Sequence, residues 1–135
     1  MASEFSGHAD FFSIGTNDLV QYMYAVDRLN PKVTSIASYF DPALIRALNE
    51  LVKNAKNIPI AMCGQMAGDP LALPLLVGLK IKILSMSPSR ILRTRRNLNF
   101  IMRSQAKKMV RKIIKEATSA IEVKEMIKKR FGELV

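Results

Sequence analysis

The sequence predicts an α/β fold with parallel strands, and three apolar runs are the main reason for that prediction. Residues 11–14, 58–62 and 81–85 each form an apolar run that ends abruptly in small, polar or charged residues. Continuous apolar runs are typical of parallel strands that are buried on both faces. Because each run is followed by a segment with helical periodicity, we expect parallel pairing with right-handed crossovers.

Capping residues predict where the helices between these strands begin. Asp41-Pro42 supplies an N-cap and a favoured first residue for a helix before the second strand. Asp69-Pro70 repeats this pair and predicts a short helix that ends at Gly78. Pro74 falls inside that short helix, so we expect its first turn to be distorted. Ser87-Pro88 is expected to cap the helix after the third strand.

The C-terminal third is predicted to form long basic helices. Residues 90–135 carry 14 Lys and Arg against 4 Glu and therefore hold the whole net charge of +10. These cations alternate with a regular apolar stripe, which indicates a solvated helical face and makes nucleic-acid binding the less favoured interpretation. Ser119, with Glu122 three residues later, is a capping box that opens the last helix.

Polar side chains follow the predicted strands. A turn over residues 15–18 holds Asn17 and Asp18, Cys63 follows the second strand, and Ser87 follows the third. In parallel sheets and (βα)8 barrels the active site lies at the carboxyl ends of the strands. We therefore expect these side chains to gather at one edge of the sheet.

Length and composition indicate a domain with a real core, in the cytoplasm. The chain has 135 residues, of which 49% are hydrophobic. A single cysteine cannot form an internal disulfide, which favours a reducing compartment. The longest apolar run is interrupted by Pro74 and is shorter than the ~20 residues of a membrane span, so we expect no membrane partner.

Three parallel strands are too few to close a core, because such a sheet has two exposed edges. We therefore expect the chain to be part of a larger fold, completed by further strands of its own protein or of a partner.

Five ordered strings resemble the C-terminal part of the phosphoenolpyruvate-utilising enzymes, and within that family Enzyme I of the bacterial sugar phosphotransferase system. The strings are DFFSIGTNDL at residues 10–19, AVDR at 25–28, MCGQMAGD at 62–69, LPLLVGL at 73–79 and SMSPSRILRTR at 85–95. The resemblance covers residues 9–135 and leaves residues 1–8 as an N-terminal extension outside the family.

This resemblance implies the last three βα units of a TIM (βα)8 barrel, and hence a partial barrel. The family uses Mg²⁺ and moves the phosphoryl group of phosphoenolpyruvate to a histidine on a separate domain. From there the group passes to a small histidine-containing phosphocarrier protein. The histidine domain and the first five barrel strands are not expected here, so the isolated chain should be inactive. The family's barrel domain also carries a homodimer interface.

The resemblance implies roles for four residues. Asp18 matches a Mg²⁺ ligand, and a carboxylate suits a hard cation that bridges to phosphate oxygens. Asn17 and Arg28 match residues that contact the phosphate end of the substrate, where the planar guanidinium fits phosphoryl oxygens. Cys63 matches the proton donor to the enolate carbon; an ordinary thiol, with a pKa of about 8.5, is mostly protonated at neutral pH.

Simpler interpretations of the same residues stay open from sequence alone. Asp18 is also a first-turn acid beside a helix dipole, Asn17 a helix cap, and Cys63 a small buried hydrophobe. Gln65 departs from the family, because most Enzyme I sequences have glutamate there; a carboxylate would disfavour the thiolate, and glutamine removes that influence.

Two function hypotheses follow. The first is the phosphoenolpyruvate-binding portion of a phosphotransferase. The second is a non-catalytic dimerisation or regulatory module derived from the same barrel.

Overall fold

A computed structural model describes residues 1–27, 29–33, 36–55 and 58–132. The strands are β1 (Phe12–Gly15), β2 (Ile60–Cys63) and β3 (Ile83–Leu84). The helices are α1 (Ala2–Phe5), α2 (Thr16–Tyr24), α3 (Pro42–Asn54), α4 (Leu73–Gly78), α5 (Pro88–Leu98), α6 (Arg103–Glu116) and α7 (Ala120–Phe131), and a 3₁₀ helix (Gln65–Gly68) follows β2.

The strands form one parallel sheet in the order β1-β2-β3. Ile14 pairs with Met62 and Gly15 with Cys63, while Met62 also pairs with Leu84 on the other side of β2. The prediction of an α/β fold with three parallel strands is therefore confirmed. Within the described ranges β1 and β3 are the outer strands, and the side chain of Ile83 on β3 is 49% exposed.

The hydrophobic core joins the sheet to helices α3, α4, α6 and α7. At Gly78, α4 packs directly against the backbone of α6, because a Cβ added there would lie 2.5 Å from the carbonyl oxygen of Ala106. Arg46 of α3 donates hydrogen bonds to the carbonyl oxygens of Ile114 and Ala117, at 3.0 and 2.9 Å. These bonds satisfy acceptors at the C-terminal end of α6 that have no partner within the helix.

Two predicted caps are confirmed. The Oδ1 atom of Asp41 accepts a hydrogen bond from the Ala43 amide at 2.8 Å and caps α3. Ser119 accepts one from the Glu122 amide at 3.2 Å and caps α7. The Glu122 carboxylate accepts in turn from the Thr118 amide at 2.8 Å, and this bond is the main reason that the pKa of Glu122 is lowered.

The predicted cap at Asp69 is wrong. Helix α4 begins at Leu73, with Ala72 as its N-cap residue. Asp69 instead closes a local turn, where its Oδ1 accepts a hydrogen bond from the Leu71 amide at 2.8 Å. Pro74 consequently lies in the first turn of α4, where a missing amide hydrogen costs little.

The predicted turn over residues 15–18 is also wrong. Helix α2 starts at Thr16, immediately after β1. The change matters for the site, since it moves both Asn17 and Asp18 into the first turn of a helix.

In the part of the chain that the structure describes, every helix is too short or too polar to cross a membrane. Helix α1 lies within residues 1–8 and contacts α3. The assignment of residues 1–8 to an extension outside the family stays a prediction.

Candidate functional site

The carboxyl ends of β1 and β2 lie side by side and bring three of the predicted site residues to one edge of the sheet. Gly15 is in register with Cys63, and α2 begins at the next residue after Gly15. Asn17 and Asp18 therefore stand in the first turn of α2, next to the strand end that carries Cys63. Arg28 lies outside the described residues.

Residues 63–69, here called the Cys63 loop, are anchored at their near end on α2. The Thr16 hydroxyl donates a hydrogen bond to the carbonyl oxygen of Cys63 at 2.9 Å, and Thr16 is fully buried. Gly64 has φ +94° and ψ −172°, a backbone conformation that is essentially restricted to glycine. A Cβ at this position would lie 2.6 Å from the Thr16 hydroxyl oxygen. The first turn of the loop therefore requires Gly64.

Asn17 holds the same loop through its side-chain amide. Its Oδ1 atom accepts a hydrogen bond from the Gln65 amide at 3.2 Å. The NH₂ group at the other end of that amide can donate hydrogen bonds to an anion without adding charge to the site. One end of the Asn17 amide therefore holds the loop, and the other end can donate hydrogen bonds to phosphate oxygens.

Cys63 has a half-buried thiol at the end of β2. Its sulfur lies 3.6 Å from the carbonyl oxygen of Ile14, which is the distance of a weak S–H···O bond. Such a contact orients the thiol and is readily broken, because sulfur is a weak donor. The arrangement is compatible with a protonated thiol that can give its proton to a bound molecule.

Asp18 offers an exposed carboxylate in the first turn of α2. A Cβ added to Gly15 would lie 3.3 Å from Asp18 Oδ2, so the carboxylate stays close to the end of β1. Among the described residues, no three His, Cys, Asp or Glu side chains group together as a metal site. One carboxylate still fits Mg²⁺, because proteins commonly hold this ion by one or two carboxylates together with substrate phosphates and water.

Ser87 takes the N-cap position of α5, but its side chain does not cap the helix. Its hydroxyl instead lies 3.2 Å from that of Ser89. The predicted side-chain cap at Ser87 is therefore wrong.

The sequence analysis gave no site role to three residues that meet at the far end of the Cys63 loop. The Tyr39 hydroxyl donates a hydrogen bond to Asp69 Oδ2 at 2.6 Å, and Arg90 donates one through Nη1 to the Gly68 carbonyl oxygen at 2.9 Å. Burial, and then the bond to Asp69, raise the pKa of Tyr39. Asp69 and Arg90 belong to the matched strings MCGQMAGD and SMSPSRILRTR, which was a usable signal, whereas Tyr39 lies in none.

A concavity lies beside Asn17, on one side of the candidate site. A cavity of about 410 Å³ borders Asn17 and Gln65 and reaches Phe40 and Lys124, but neither Asp18 nor Cys63 lines it. We therefore assign it no role in the candidate site.

Comparison with known proteins identifies the family of the chain. Residues 1–103 match the family model of the PEP-utilising enzyme, PEP-binding domain. The phosphoenolpyruvate-protein phosphotransferase of Mycoplasma pneumoniae is 39% identical over 132 residues, which cover 96% of this chain and 23% of that protein. Proteins of the same name from Geobacillus stearothermophilus and Bacillus subtilis are 38% and 37% identical, and the matches cover 98% and 97% of this chain and 23% of each relative.

Fold and site together define a parallel α/β domain with its polar groups at the carboxyl ends of the strands, the usual place of a ligand site in this class. The chain belongs to the family of PEP-utilising enzymes, and it matches their PEP-binding domain. The predicted family resemblance is therefore confirmed. The chain spans less than a quarter of the length of the curated relatives it matches, at 23%.

Proposed function

We propose that this chain is a portion of the phosphoenolpyruvate-binding domain of an Enzyme I-like phosphotransferase, which serves sugar uptake by moving the phosphoryl group of phosphoenolpyruvate to a protein histidine. The supporting observation is the convergence of Asn17, Asp18 and Cys63 at one sheet edge, in a chain of that family. The three strands would then be the last strands of a TIM barrel. Exposed Ile83 on an outer strand is consistent with further strands beside it.

In this proposal each residue acts on a different part of the substrate. Asn17 donates hydrogen bonds to the phosphate end, where Arg28 contributes a guanidinium by resemblance to the family. Asp18 is one of the ligands of Mg²⁺, which when bound neutralises charge on the phosphoryl oxygens. Because this chain supplies one carboxylate, we expect it to bind Mg²⁺ weakly by itself.

The reaction needs one proton from the chain. The bond between phosphorus and the enol oxygen breaks as phosphorus bonds to a nitrogen of the acceptor histidine, which leaves the enolate of pyruvate. Cys63 then donates its S–H proton to the methylene carbon of the enolate, giving pyruvate and a thiolate that water reprotonates. Such a positioned acid contributes about 10²- to 10⁴-fold to the rate.

The proposal is tested in a chimera in which this chain replaces the matching C-terminal part of the Bacillus subtilis relative. The chimera should release pyruvate from phosphoenolpyruvate with Mg²⁺. Asp18→Asn should lower that rate by about a hundredfold or more and raise the Mg²⁺ concentration required, because a metal ligand is lost. Glu50→Gln is the control, since this exposed acid on α3 accepts from Lys53 Nζ at 2.8 Å and lies in none of the matched strings. An Asp18→Asn chimera that keeps the unsubstituted rate and Mg²⁺ dependence would refute the metal role.

The isolated chain should show negligible turnover. We expect no pyruvate release above background from the 135-residue chain with Mg²⁺, even at high protein concentration. Turnover near that of the chimera would contradict the view that the site needs groups from the rest of the enzyme.

A second function is favoured by the outer edge of β3 and by exposed apolar side chains. Leu92 on α5 and Ile83 on β3 are 80% and 49% exposed. An outer strand edge and exposed apolar side chains suit a dimerisation or regulatory module that pairs with a second barrel. Sedimentation tests this second function, because a stably folded monomer over a wide concentration range would count against it.

The remaining partners follow from the first function. We propose a cytoplasmic homodimer that passes its phosphoryl group to a histidine-containing phosphocarrier protein through a separate histidine domain.

A further inference from the structure

The Cys63 loop is fixed at its far end by side chains from two other parts of the chain. Arg90, in the first turn of α5, donates a hydrogen bond from Nη1 to the Gly68 carbonyl oxygen at 2.9 Å. Tyr39, just before α3, donates one from its hydroxyl to Asp69 Oδ2 at 2.6 Å. The other carboxylate oxygen of Asp69 accepts from the Leu71 amide at 2.8 Å. Gly68 is therefore held by α5, and Asp69 by the segment before α3.

The contact between Arg90 and Gly68 is close as well as polar. A Cβ added to Gly68 would lie 2.7 Å from Cδ of Arg90, so the aliphatic stem of the arginine rests directly on the buried glycine. A hydrogen bond from a guanidinium is charge-assisted and stronger than one between neutral groups. It also gives a partner to the carbonyl of Gly68, the last residue of the 3₁₀ helix, where carbonyls lack partners within the helix.

Tyr39 contributes a donor that stays protonated. Its ring is half-buried, and burial together with the bond to Asp69 raises its pKa, so the phenol keeps its hydrogen through the neutral range. Asp69 is half-buried too. Loss of the hydroxyl would leave a carboxylate oxygen without this partner, which is costlier than the net value of an ordinary hydrogen bond.

We propose that Arg90 and Tyr39 are positioning residues for the Cys63 thiol. By holding Gly68 and Asp69, they fix the far end of the Cys63 loop. The near end then stays in the conformation in which Thr16 and Asn17 of α2 bind it. The inference rests on the proposed function in taking Cys63 as the proton donor. The position of the thiol then depends on α5, through Arg90, and on the segment before α3, through Tyr39. This position matters, because a misplacement of about 1 Å can cost 10²-fold in rate.

The single cysteine of the chain makes the test direct, because a thiol reagent reports on Cys63 alone. In the full 135-residue chain, Arg90→Ala should speed alkylation of Cys63 by iodoacetamide. Amide hydrogen exchange at Gln65 should rise roughly tenfold or more, because an anchor of the loop is gone. Exchange at Leu76, whose amide bonds to the Ala72 carbonyl oxygen within buried α4, should stay unchanged.

Two further variants and one control separate positioning from general destabilisation. Arg90→Lys keeps a cationic donor and should restore most of the original exchange and alkylation rates. Tyr39→Phe removes only the hydroxyl and should speed alkylation of Cys63 and amide exchange at Gln65, as Arg90→Ala does. If Arg90→Ala does not fold, Tyr39→Phe alone decides between positioning and general destabilisation. Arg93→Ala is the control, since Arg93 is exposed on the same helix, as Arg90 is, but among the described residues it donates no hydrogen bond to the Cys63 loop.

The proposal is overturned if Arg90→Ala and Tyr39→Phe leave both rates within about twofold of the unsubstituted chain. It is also overturned if Arg93→Ala has an equal effect, or if exchange at Leu76 rises as much as exchange at Gln65. Neither readout involves phosphoenolpyruvate. A negative result therefore leaves the proposed function standing, and an inactive chimera leaves the positioning contacts standing.

Discussion

Replacement of Gly64 by alanine should disturb the fold at the point where the Cys63 loop meets α2. Gly64 has φ +94° and ψ −172°, which an alanine rarely adopts. The new methyl carbon would lie 2.6 Å from the hydroxyl oxygen of Thr16 and 3.2 Å from Oδ1 of Asn17. Thr16 cannot move aside freely, because it is fully buried and bonded to the Cys63 carbonyl oxygen at 2.9 Å.

The expected loss of stability combines a backbone cost and a lost contact. A residue held in this region of φ/ψ space costs about 1–3 kcal/mol. Displacement of the Thr16 hydroxyl adds about 1 kcal/mol for the hydrogen bond to Cys63. Gly64→Ala should therefore lower the free energy of unfolding by about 2–4 kcal/mol, and the freed loop should speed alkylation of Cys63.

Urea unfolding followed by circular dichroism measures the first effect, and iodoacetamide labelling measures the second. Gly132→Ala is the matched control, because a Cβ there meets nothing within 4 Å and its φ of −61° suits alanine. The control should stay within about 0.5 kcal/mol of the unsubstituted chain. The reasoning fails if Gly64→Ala is as stable as Gly132→Ala and labels at the unsubstituted rate.

Two other changes probe the packing and the pH response of the fold. Gly78→Ala should lower the free energy of unfolding by about 1–3 kcal/mol in urea, since its methyl would meet the Ala106 carbonyl oxygen at 2.5 Å; a variant more stable than the unsubstituted chain would mean that the gain in helix propensity, about 1 kcal/mol, wins instead. Tyr39→Phe should lower the melting temperature at pH 8, and the difference should shrink above pH 10. Because the pKa of Tyr39 is raised in the folded state, its contribution to stability is present below the ordinary pKa of about 10 and is lost as the pH rises through the raised value. A difference that stays constant from pH 8 to pH 11 would contradict this assignment.

Local rules predicted the helix that Asp41 caps but failed at Asp69, although both aspartates precede a proline. Asp41 accepts from the amide two residues later and opens α3. Asp69 makes the corresponding bond to Leu71, yet α4 begins only at Leu73. The second carboxylate oxygen of Asp69 accepts a hydrogen bond from Tyr39, thirty residues away. Asp69 therefore belongs to a turn with a tertiary contact and does not start a helix. Sequence periodicity carries no information on such a contact.

The candidate site was predictable to the extent that short motifs follow strands. Parallel pairing places Asn17, Asp18 and Cys63 at one edge, and the sequence shows both the strands and the motifs. The hydrogen bonds that hold the Cys63 loop at that edge were not predictable. Thr16 and Arg90 donate to backbone carbonyls of residues that are 47 and 22 positions away in the sequence. Because every residue has a backbone carbonyl, the identity of the accepting residue does not reveal such a bond.

The central claim is tested most directly by pyruvate release from the chimera with the Bacillus subtilis relative, measured with and without Cys63→Ala. If Cys63 is the proton donor, the substitution should lower the rate by about 10²- to 10⁴-fold, while a chimera with Arg93→Ala keeps its rate. A Cys63→Ala chimera that releases pyruvate at the unsubstituted rate would contradict the assignment of the thiol, and with it the account of this sheet edge as a phosphoenolpyruvate site.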